Sequence, residues 1–522
     1  MTLKKKNKRK KEMKVVLLIL DGWGLGKNDR SNPIIDAKTP YINSLYQKYP
    51  WIKLCASGRC VGLPPDQVGN SEAGHINIGA GRVVDQDVIA ISKQINTGEF
   101  FKNPAFLAGI NHTKKNKSNL HIMGLLSNGQ SPHADPDHLL ALLMLARKEK
   151  VKHVYLHLFT DGRDSPPRSS LKSILALERY LKPNEVIATV MGRFYAMDRK
   201  KDWNRTEWAY EAMLSGLGHE ANSPQEGITR AYNANITDEF IEPIILYHKG
   251  RMVPRIEDND TILFFNLRSD RARQLAKPFV QKDFNQMNPK ANQRKKVLKN
   301  IVFAAMTDFG PDLDGILTAF PSDNLTNTLP MMLASKKQLY VAEKEKYAHV
   351  TYFFNGGYDR PIAGEKRVLV LSPEVKSYDE TPAMSTAQIT RKVVSGLKTN
   401  DFICVNFACP DMVAHTGNFK AGIKAAEATD KYTKKIAQAV LRSNGVLMIT
   451  ADHGNLEYML NLKTDEIITS HTNNQVPFIV ISKKYAKDYK LKSGGYLGDI
   501  APTILKLFEI DQPKEMTRKS LI

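Results

Sequence analysis

HIMGLLSNGQSPHADPDHLLALLMLARKEKVKHVYLHLF, residues 121–159, decides the fold class. HIMGLL (121–126) is an apolar run of strand length, DHLLALLMLARKEK (137–150) has a helical pattern, and HVYLHLF (153–159) is again strand-like. The rhythm continues through SSLKSILALERYL (169–181) and VIATVMG (186–192). Strands alternating with helices predict a parallel sheet with helices on its faces, an α/β protein. The rhythm returns late in the chain: FICVNF (402–407), a helix over 419–442, VLMITADHG (446–454), VPFIVIS (476–482) and a last helix from Ala501. An earlier strand, VVLLIL (15–20), runs into Asp21-Gly22-Trp23-Gly24. Segments 111–119 and 281–300 read as loop or surface helix.

A chain of 522 residues is too long for one ordinary core, so two domains are expected. The composition, 42% hydrophobic and 25% charged, is that of a globular protein. No uninterrupted apolar run is long enough to span a bilayer, and Asp21-Gly22 interrupts VVLLIL before a signal segment could form. A cytoplasmic protein without membrane partners is expected. Residues 4–14, KKKNKRKKEMK, carry +7 of the formal +21, read as a solvated extension with only weak anionic contacts. The dispersed remainder suits an anionic substrate. Cys55 and Cys60, like Cys404 and Cys409, are spaced C-x4-C; without flanking turn glycines, reduced and partly buried thiols are expected rather than zinc ligands.

QVGNSEAGHINIGAGR (67–82) comes close to three phosphate- or nucleophile-handling motifs and matches none. Gly69 to Gly74 has P-loop spacing, but His75-Ile76 stands where Lys-Ser/Thr is required. Ser71 lies in a segment one residue too long for a nucleophile elbow, and Val84 replaces the last glycine of a dinucleotide loop. The small neighbours Gly69, Ala73 and Gly74 are expected to let a phosphate approach the backbone of a glycine-flanked loop.

Acidic residues follow the buried strands: Asp21, Asp164, Asp411 and Asp452, where open α/β sheets carry their sites. Asp411 and His415 are spaced i, i+4, which places both on one helix face. Asp452 and His453 can point into one crevice from a turn after a strand, and His471 precedes another strand. Three carboxylates and three imidazoles exceed one four-coordinate site and fit two metals. Mixed oxygen and nitrogen ligands favour Mn²⁺, with Mg²⁺, Co²⁺ and Zn²⁺ as alternatives. A metal would also activate the Ser71 hydroxyl as a nucleophile.

A second constellation lies in DGRDSPPR (161–168), GRFYAMDRKKDWNR (192–205) and NLRSDRARQ (266–274). Arg163, Arg193, Arg199, Arg268 and Arg271 follow apolar strands instead of repeating along a helix face. Guanidinium forks match phosphate and carboxylate. With Asp164 and His133 they suggest a small dianion bearing hydroxyls. The clusters are too compact for nucleic acid, which is not expected as a partner.

ILDGWGLG (19–26), GNSEAGHINIGAGR (69–82), DGRDSPP (161–167), GRFYAMDR (192–199), FFNLRSDRARQ (264–274), AEKEKYAHVTYFFNGG (342–357), NFACPDMVAHTG (406–417), TADHGNLE (450–457) and SHTNNQVPF (470–478) together resemble the cofactor-independent, metal-dependent phosphoglycerate mutases of the alkaline phosphatase superfamily. The resemblance runs in order from about residue 14 to the C-terminus. It implies a phosphatase-like domain over 14–86 and 320–522, a transferase domain inserted at 87–319, and a basic arm at 1–13 outside both. It implies one metal on Asp411, His415 and His471, and a second on Asp21, Ser71, Asp452 and His453. Substrate would be gripped by His133, Arg163, Asp164, Arg193, Arg199, Arg268 and Arg271, with Lys346 reaching in from the phosphatase-like side. The implied reaction interconverts 3- and 2-phosphoglycerate in a monomer, through phosphoserine at Ser71 and without bisphosphoglycerate. Asp164 and Lys346 would assist catalysis. Another phosphomutase or a phosphohydrolase of the superfamily is the alternative. The family's usual G-G-V-H-S-H run appears here as GQSPHADPDH (129–138), with one residue inserted and Asp135 in place of the second His. NFACPDM has Ala-Cys where the family usually has Ala-Asn.

Overall fold

The computed structural model describes residues 13–129, 131–313, 315–321 and 324–522. The basic arm expected at 1–13 thus lies outside the described residues except for Met13. The chain divides into two compact units, Met1–Gln86 with Asp323–Ile522, and Asp87–Ser322. Each has its own sheet and its own apolar core.

The first unit is built on an eight-stranded sheet in the order Lys366–Val370, Gln338–Glu343, Phe402–Phe407, Val15–Leu20, Val446–Thr450, Val476–Ile481, Trp51–Cys55, Gly495–Tyr496. The first five strands are parallel, and Val476–Ile481 runs against both its neighbours. VVLLIL is buried at every position because it is central and covered on both faces, which removes any polar alternation from the sequence. The long helix Phe419–Arg442 starts at Asn418, whose side chain accepts from Ala421 N.

The second unit carries strands in the order Ile316–Phe320, Val302–Thr307, Thr261–Phe264, Leu120–Leu125, Val154–Thr160, Glu185–Gly192, Ile244–His248, His219–Ala221. Its opening strand–helix–strand unit is Leu120–Leu125, Pro136–Lys148 and Val154–Thr160, with parallel pairing. Asp135, in the altered run, caps the helix by accepting from Asp137 N. Glu185–Gly192 and Ile244–His248 pair antiparallel, so this sheet too is mixed at one edge. The strand Ile316–Phe320 includes Phe320, whose ring lies 5.7 Å from that of Phe100, so the returning segment starts after Phe320 and not at 320 as expected. Of the two segments read as loop or surface helix, 111–119 mostly completes the helix Pro104–Asn116, and 281–300 is irregular apart from Phe284–Met287.

The expectation of four reduced thiols holds for Cys404 and Cys409, which are buried and free, and fails for Cys55 and Cys60, which form a disulfide. The tight turn Gly58–Val61, closed by Gly62 in the left-handed region, folds the chain back so that the two Cα atoms lie 5.9 Å apart.

Four histidines are buried in the second unit. His121 Nε2 meets Asp260 Oδ2 at 3.1 Å, His121 Nδ1 meets His157 Nε2 at 3.0 Å, and His157 Nδ1 meets Thr189 Oγ1 at 2.9 Å. Burial, reinforced by His121, holds His157 well below the ordinary imidazole range, and burial lowers His121 despite Asp260. Burial pushes His138 down to about 4; burial, then Arg193 and Arg268, pushes His133 down to about 3. Each is neutral in the folded chain and protonates near pH 6.5 once unfolded. Stability therefore falls as pH drops below about 6.5, and each group contributes up to about 1.4 kcal/mol per pH unit until its folded pKa is reached. The expected result is a lower urea midpoint for this unit at pH 5.0 than at pH 7.5. Equal midpoints would refute it.

Candidate active site

In the first unit the candidate residues meet at the carboxyl ends of the parallel strands. Asp21 follows Val15–Leu20, Lys346 closes the turn after Gln338–Glu343, Asp411 lies in the short helix Cys409–Ala414 after Phe402–Phe407, and Asp452-His453 follows Val446–Thr450. Ser71 is not in a loop but is the first residue of the helix Ser71–Ala80, behind the cap Asn70, whose Oδ1 accepts from Ala73 N at 2.8 Å. A helix N-terminus favours negative charge developing at the Ser71 hydroxyl.

Ser71 Oγ lies 2.9 Å from His453 Nε2, 2.7 Å from Lys346 Nζ and 3.3 Å from Asp21 Oδ1. Lys346 Nζ also donates to Asp21 Oδ1 at 2.6 Å and Asp411 Oδ2 at 2.7 Å, so all three of its protons are used inside this unit. On the other side of Asp411, Oδ1 lies 3.3 Å from both His415 Nε2 and His471 Nε2, which are 3.0 Å from one another.

Histidine tautomers follow from their outer nitrogens. His415 Nδ1 donates to Thr469 O and His471 Nδ1 to Gly69 O, both at 2.8 Å. Their Nε2 atoms are then bare lone pairs facing each other and a carboxylate, an arrangement that calls for a cation. Burial drives His453 down to about 3, so it is neutral. Burial and then Asp452 push the Asp21 carboxyl up to about 7 against the pull of Lys346. Asp411 is raised by burial, yet Lys346 outweighs that and holds it well below the carboxylate range. Three buried carboxylates surround one ammonium that bonds only two of them, Asp21 and Asp411, and Asp452 Oδ2 makes no hydrogen bond, with His75 Nδ1 3.2 Å away. Isolated buried charge is costly, so the donor set fits bound divalent cations.

By proximity alone the ligand atoms group as Asp411, His453 and His471, and as Asp21, His75 and Asp452. His75 is less suited than His453 as a ligand. Its Nδ1 bonds Ser71 O at 2.9 Å and its Nε2 faces Asn406 Nδ2 at 3.2 Å, so both nitrogens are occupied. It positions Ser71 instead. Asn406 Nδ2 also donates to Asp21 Oδ2 at 2.6 Å, and Asn455 Nδ2 to Asp411 Oδ1 at 2.7 Å. Buried Glu457 collects Gly24 N at 3.0 Å, Asn455 N at 2.8 Å and the Thr472 hydroxyl, tying three loops together. Sequence reasoning gave none of these four a role, although His75 stands one helical turn after Ser71. Cys409 takes no part in the group; its thiol packs against Thr386 and Thr429.

The glycines around Ser71 serve protein packing and not phosphate access. A Cβ on Gly74 would lie 2.6 Å from Asp452 O and 2.7 Å from Asp452 Cβ, and one on Gly69 would overlap the Ala56 carbonyl and sit 2.9 Å from His453 Cβ. Gly74→Ala is expected to displace the Asp452-His453 turn and cost at least about 100-fold in turnover, the scale of a 1 Å misplacement. Wild-type kinetics in that variant would refute the reading.

In the second unit the arginine group also gathers at carboxyl ends of parallel strands. Buried Arg193 Nη1 donates to Asp161 Oδ1 and Asp164 Oδ2, each at 2.6 Å, and Ser131 Oγ donates to Asp164 Oδ2 at 2.7 Å. Arg199 pairs with Asp270 at 2.8 Å, and Arg268 lies 3.6 Å from the same carboxylate. Arg163 extends toward Glu239 at 3.4 Å. Arg271 does not follow a strand directly but sits in the first turn of the helix Ser269–Val280. Burial, then repulsion from Arg199, Arg193 and Arg163, lowers it, which marks these guanidinium groups as converging. His133 is buried among them, influenced by Arg193, Arg268, Asp270 and Asp164. Asp164 is raised by burial, but Arg193 and then Ser131 outweigh this and leave it an ionised carboxylate. Ser131, Asp161 and Asp270 were not singled out in the sequence, although Asp161 lies inside DGRDSPPR and Asp270 inside NLRSDRARQ.

Fold and site define an α/β protein with a serine-centred cluster of carboxylates and imidazoles suited to divalent cations in one unit and a cluster of arginines suited to an anion in another. Residues 91–311 match the family model described as the BPG-independent PGAM N-terminus. The chain is 45% identical over 514 residues to the 2,3-bisphosphoglycerate-independent phosphoglycerate mutase of Clostridium perfringens (strain SM101 / Type A), covering 97% of this chain and 99% of the relative. It is 44% identical to the same-named protein of Moorella thermoacetica, covering 97% and 98%. The crystal structure of Leishmania mexicana phosphoglycerate mutase at low cobalt concentration aligns with a TM-score of 0.76 and 29% identity, covering 99% of this chain and 98% of that one. The chain belongs to the 2,3-bisphosphoglycerate-independent phosphoglycerate mutases. No helix among the described residues is long and apolar enough to cross a membrane.

Proposed function

We propose that this enzyme interconverts 3-phosphoglycerate and 2-phosphoglycerate through phosphoserine at Ser71, without bisphosphoglycerate. The observation that carries the reading is the Ser71 hydroxyl, held between His453 Nε2 and Lys346 Nζ in the middle of the carboxylate and imidazole group. Asp411, His415 and His471 would hold one divalent metal, and Asp21, Ser71, Asp452 and His453 the other, with Mn²⁺ the best match to the donors. When bound, the metals lower the pKa of the hydroxyl and offset phosphoryl charge.

Ser71 Oγ, whose proton is released to solvent beforehand, attacks phosphorus in line, the bond from phosphorus to the C3 oxygen breaks, and that oxygen receives, through Asp164, the proton of the 2-hydroxyl. Lys346 neutralises charge first on Oγ and then on the phosphoryl oxygens. The arginine group and His133 retain glycerate, which water would otherwise replace. Asp164 begins as a base, accepting the proton of the 2-hydroxyl, and that oxygen takes the phosphoryl group back from Ser71. A phosphohydrolase would have no use for a cluster that retains the alcohol. We assign the protein to the cytoplasm, acting as a monomer.

The test is turnover of 3-phosphoglycerate with no bisphosphoglycerate present, before and after chelation. Activity is expected to vanish on chelation and return with Mn²⁺. Undiminished turnover after thorough chelation would sink the two-metal reading, and a requirement for bisphosphoglycerate would sink the phosphoserine route.

A further inference from the structure

The loop that the Cys55–Cys60 disulfide closes packs against the residues that lead into the nucleophile. Cys55 ends the strand Trp51–Cys55, and Cys60 lies in the turn Gly58–Val61. Gly58 N donates to Gln67 O at 3.0 Å. The Ala56 carbonyl lies so close to Gly69 that a Cβ there would sit 2.1 Å from its oxygen. Gly69 O accepts from His471 Nδ1 at 2.8 Å, and Asn70 and Ser71 follow as helix cap and first helical residue. Ser57 Oγ donates to Asn473 O at 3.3 Å, and Val61 O accepts from Asn77 Nδ2 at 3.1 Å, inside the helix that Ser71 begins. Residues 55–61 thus bear on both the Ser71 helix and the His471 loop.

The four cysteines differ in what can reach them. Cys404 and Cys409 are fully buried, and burial pushes both thiols up, Cys409 to about 11, so neither forms a thiolate near neutral pH. Cys55 and Cys60 are half-buried, which gives a small thiol access to the bond. The fold has little need of this bond. The strand Trp51–Cys55 is already paired on both sides, with Val476–Ile481 and Gly495–Tyr496, and a cross-link over so short a loop restricts the unfolded chain least. In the cytoplasm, to which we assign the enzyme, disulfides are transient and serve catalysis or redox sensing.

We propose that Cys55 and Cys60 are a redox-modified site, a dithiol–disulfide pair whose oxidised form clamps the segment Gly69–Ser71 and whose reduction by a dithiol lowers turnover at Ser71. A thiolate of the dithiol attacks one sulfur of the pair, the S–S bond breaks, and the other cysteine leaves as a thiolate that takes up a proton. The second thiol of the reductant loses its proton and attacks the mixed disulfide. The remaining cysteine is released and protonated, and the reductant departs as its own disulfide. Two electrons and two protons have then passed from the dithiol to Cys55 and Cys60, and a disulfide of the same class reverses the exchange. With the ring open, the Ala56 carbonyl is no longer held against Gly69, so the carbonyl that orients His471 and the residues Asn70-Ser71 gain freedom. The bonds from Gly58 N and Asn77 Nδ2 remain, so the site loosens without being lost. Only the kinetic part of this inference rests on the phosphoserine reading above.

The test compares three proteins: oxidised wild type, wild type reduced with dithiothreitol and desalted anaerobically into Mn²⁺ buffer, and Cys55→Ser/Cys60→Ser. Each is measured in turnover and in hydrogen exchange of residues 67–74. Reduction is expected to lower kcat for 3-phosphoglycerate about fivefold, a fraction of the roughly 100-fold that a 1 Å misplacement costs. KM should stay within about twofold, because the arginine group lies in the other unit. Oxidised dithiothreitol should restore kcat. The serine variant should show the lower rate with and without dithiothreitol treatment, which separates opening of the disulfide from loss of metal to the reagent. Exchange at 67–74 should quicken at least about threefold in the reduced protein and in the variant. Equal kcat or equal exchange in the oxidised and reduced proteins overturns the proposal, as does a serine variant that reduction slows as much as wild type. If no form turns over 3-phosphoglycerate, the phosphoserine reading fails and exchange alone decides the clamp: faster exchange on reduction supports it, and unchanged exchange overturns it.

Discussion

Ser71→Ala is expected to lower kcat by about 10⁶-fold, the scale seen when a covalent nucleophile is removed, while leaving the protein folded. The fold should survive because Ser71 does not cap its helix; Asn70 does, and alanine is a good residue inside a helix. What is lost is the one oxygen placed within 2.9 Å of His453 Nε2 and 2.7 Å of Lys346 Nζ. Asn70→Ala provides the opposite profile. It removes the bond to Ala73 N and should cost about 1 kcal/mol of stability while the nucleophile remains. Thermal melts and turnover measured on both variants separate chemistry from folding. A Ser71→Ala enzyme that isomerises phosphoglycerate within about 100-fold of wild type would remove phosphoserine from the mechanism.

Arg193→Ala is expected to combine a stability loss with a loss of turnover. Arg193 is 3% exposed and its Nη1 serves Asp161 and Asp164 together, with Asp161 itself 2% exposed. Removing the guanidinium leaves a buried carboxylate unpaired, a change that typically costs about 3–5 kcal/mol. Asp164 also loses the contact that orients it and keeps it ionised. The double variant Arg193→Met/Asp161→Asn removes the unpaired charge along with its partner, so most of the stability should return. Turnover should not, because Asp164 keeps only its bond from Ser131 and the substrate lacks a guanidinium. Denaturant midpoints and kcat/KM check both arms. Recovery of activity in the double variant would show that Arg193 serves the fold alone.

Much of this site was readable because strand-end chemistry is local. Asp21 after VVLLIL and Asp452-His453 after VLMIT each need only a few neighbouring residues to be recognised. The positioning residues were less accessible. Asn406 is one more residue in a buried strand until its amide is seen between Asp21 and His75, and Glu457 is one acidic residue among many until three loops are seen to bond to it. The thiols of Cys55 and Cys60 were misjudged because C-x4-C spacing does not reveal that a tight turn brings their Cα atoms together. Lys346 was expected to reach toward substrate, and its three donor bonds inside the carboxylate group come from residues 325, 275 and 65 positions away.

The sequence by itself determined the α/β class, the family and the residue types of both clusters, because periodicity, strand-end position and long motifs are carried by neighbouring residues. Only the tertiary structure decided which nitrogen of each histidine is free, since that depends on carbonyls such as Thr469 O and Gly69 O arriving from other loops. It also decided that Gly69 and Gly74 make room for the Asp452-His453 turn and not for phosphate. Tautomers and steric clearances depend on distances between residues that the chain order leaves unspecified.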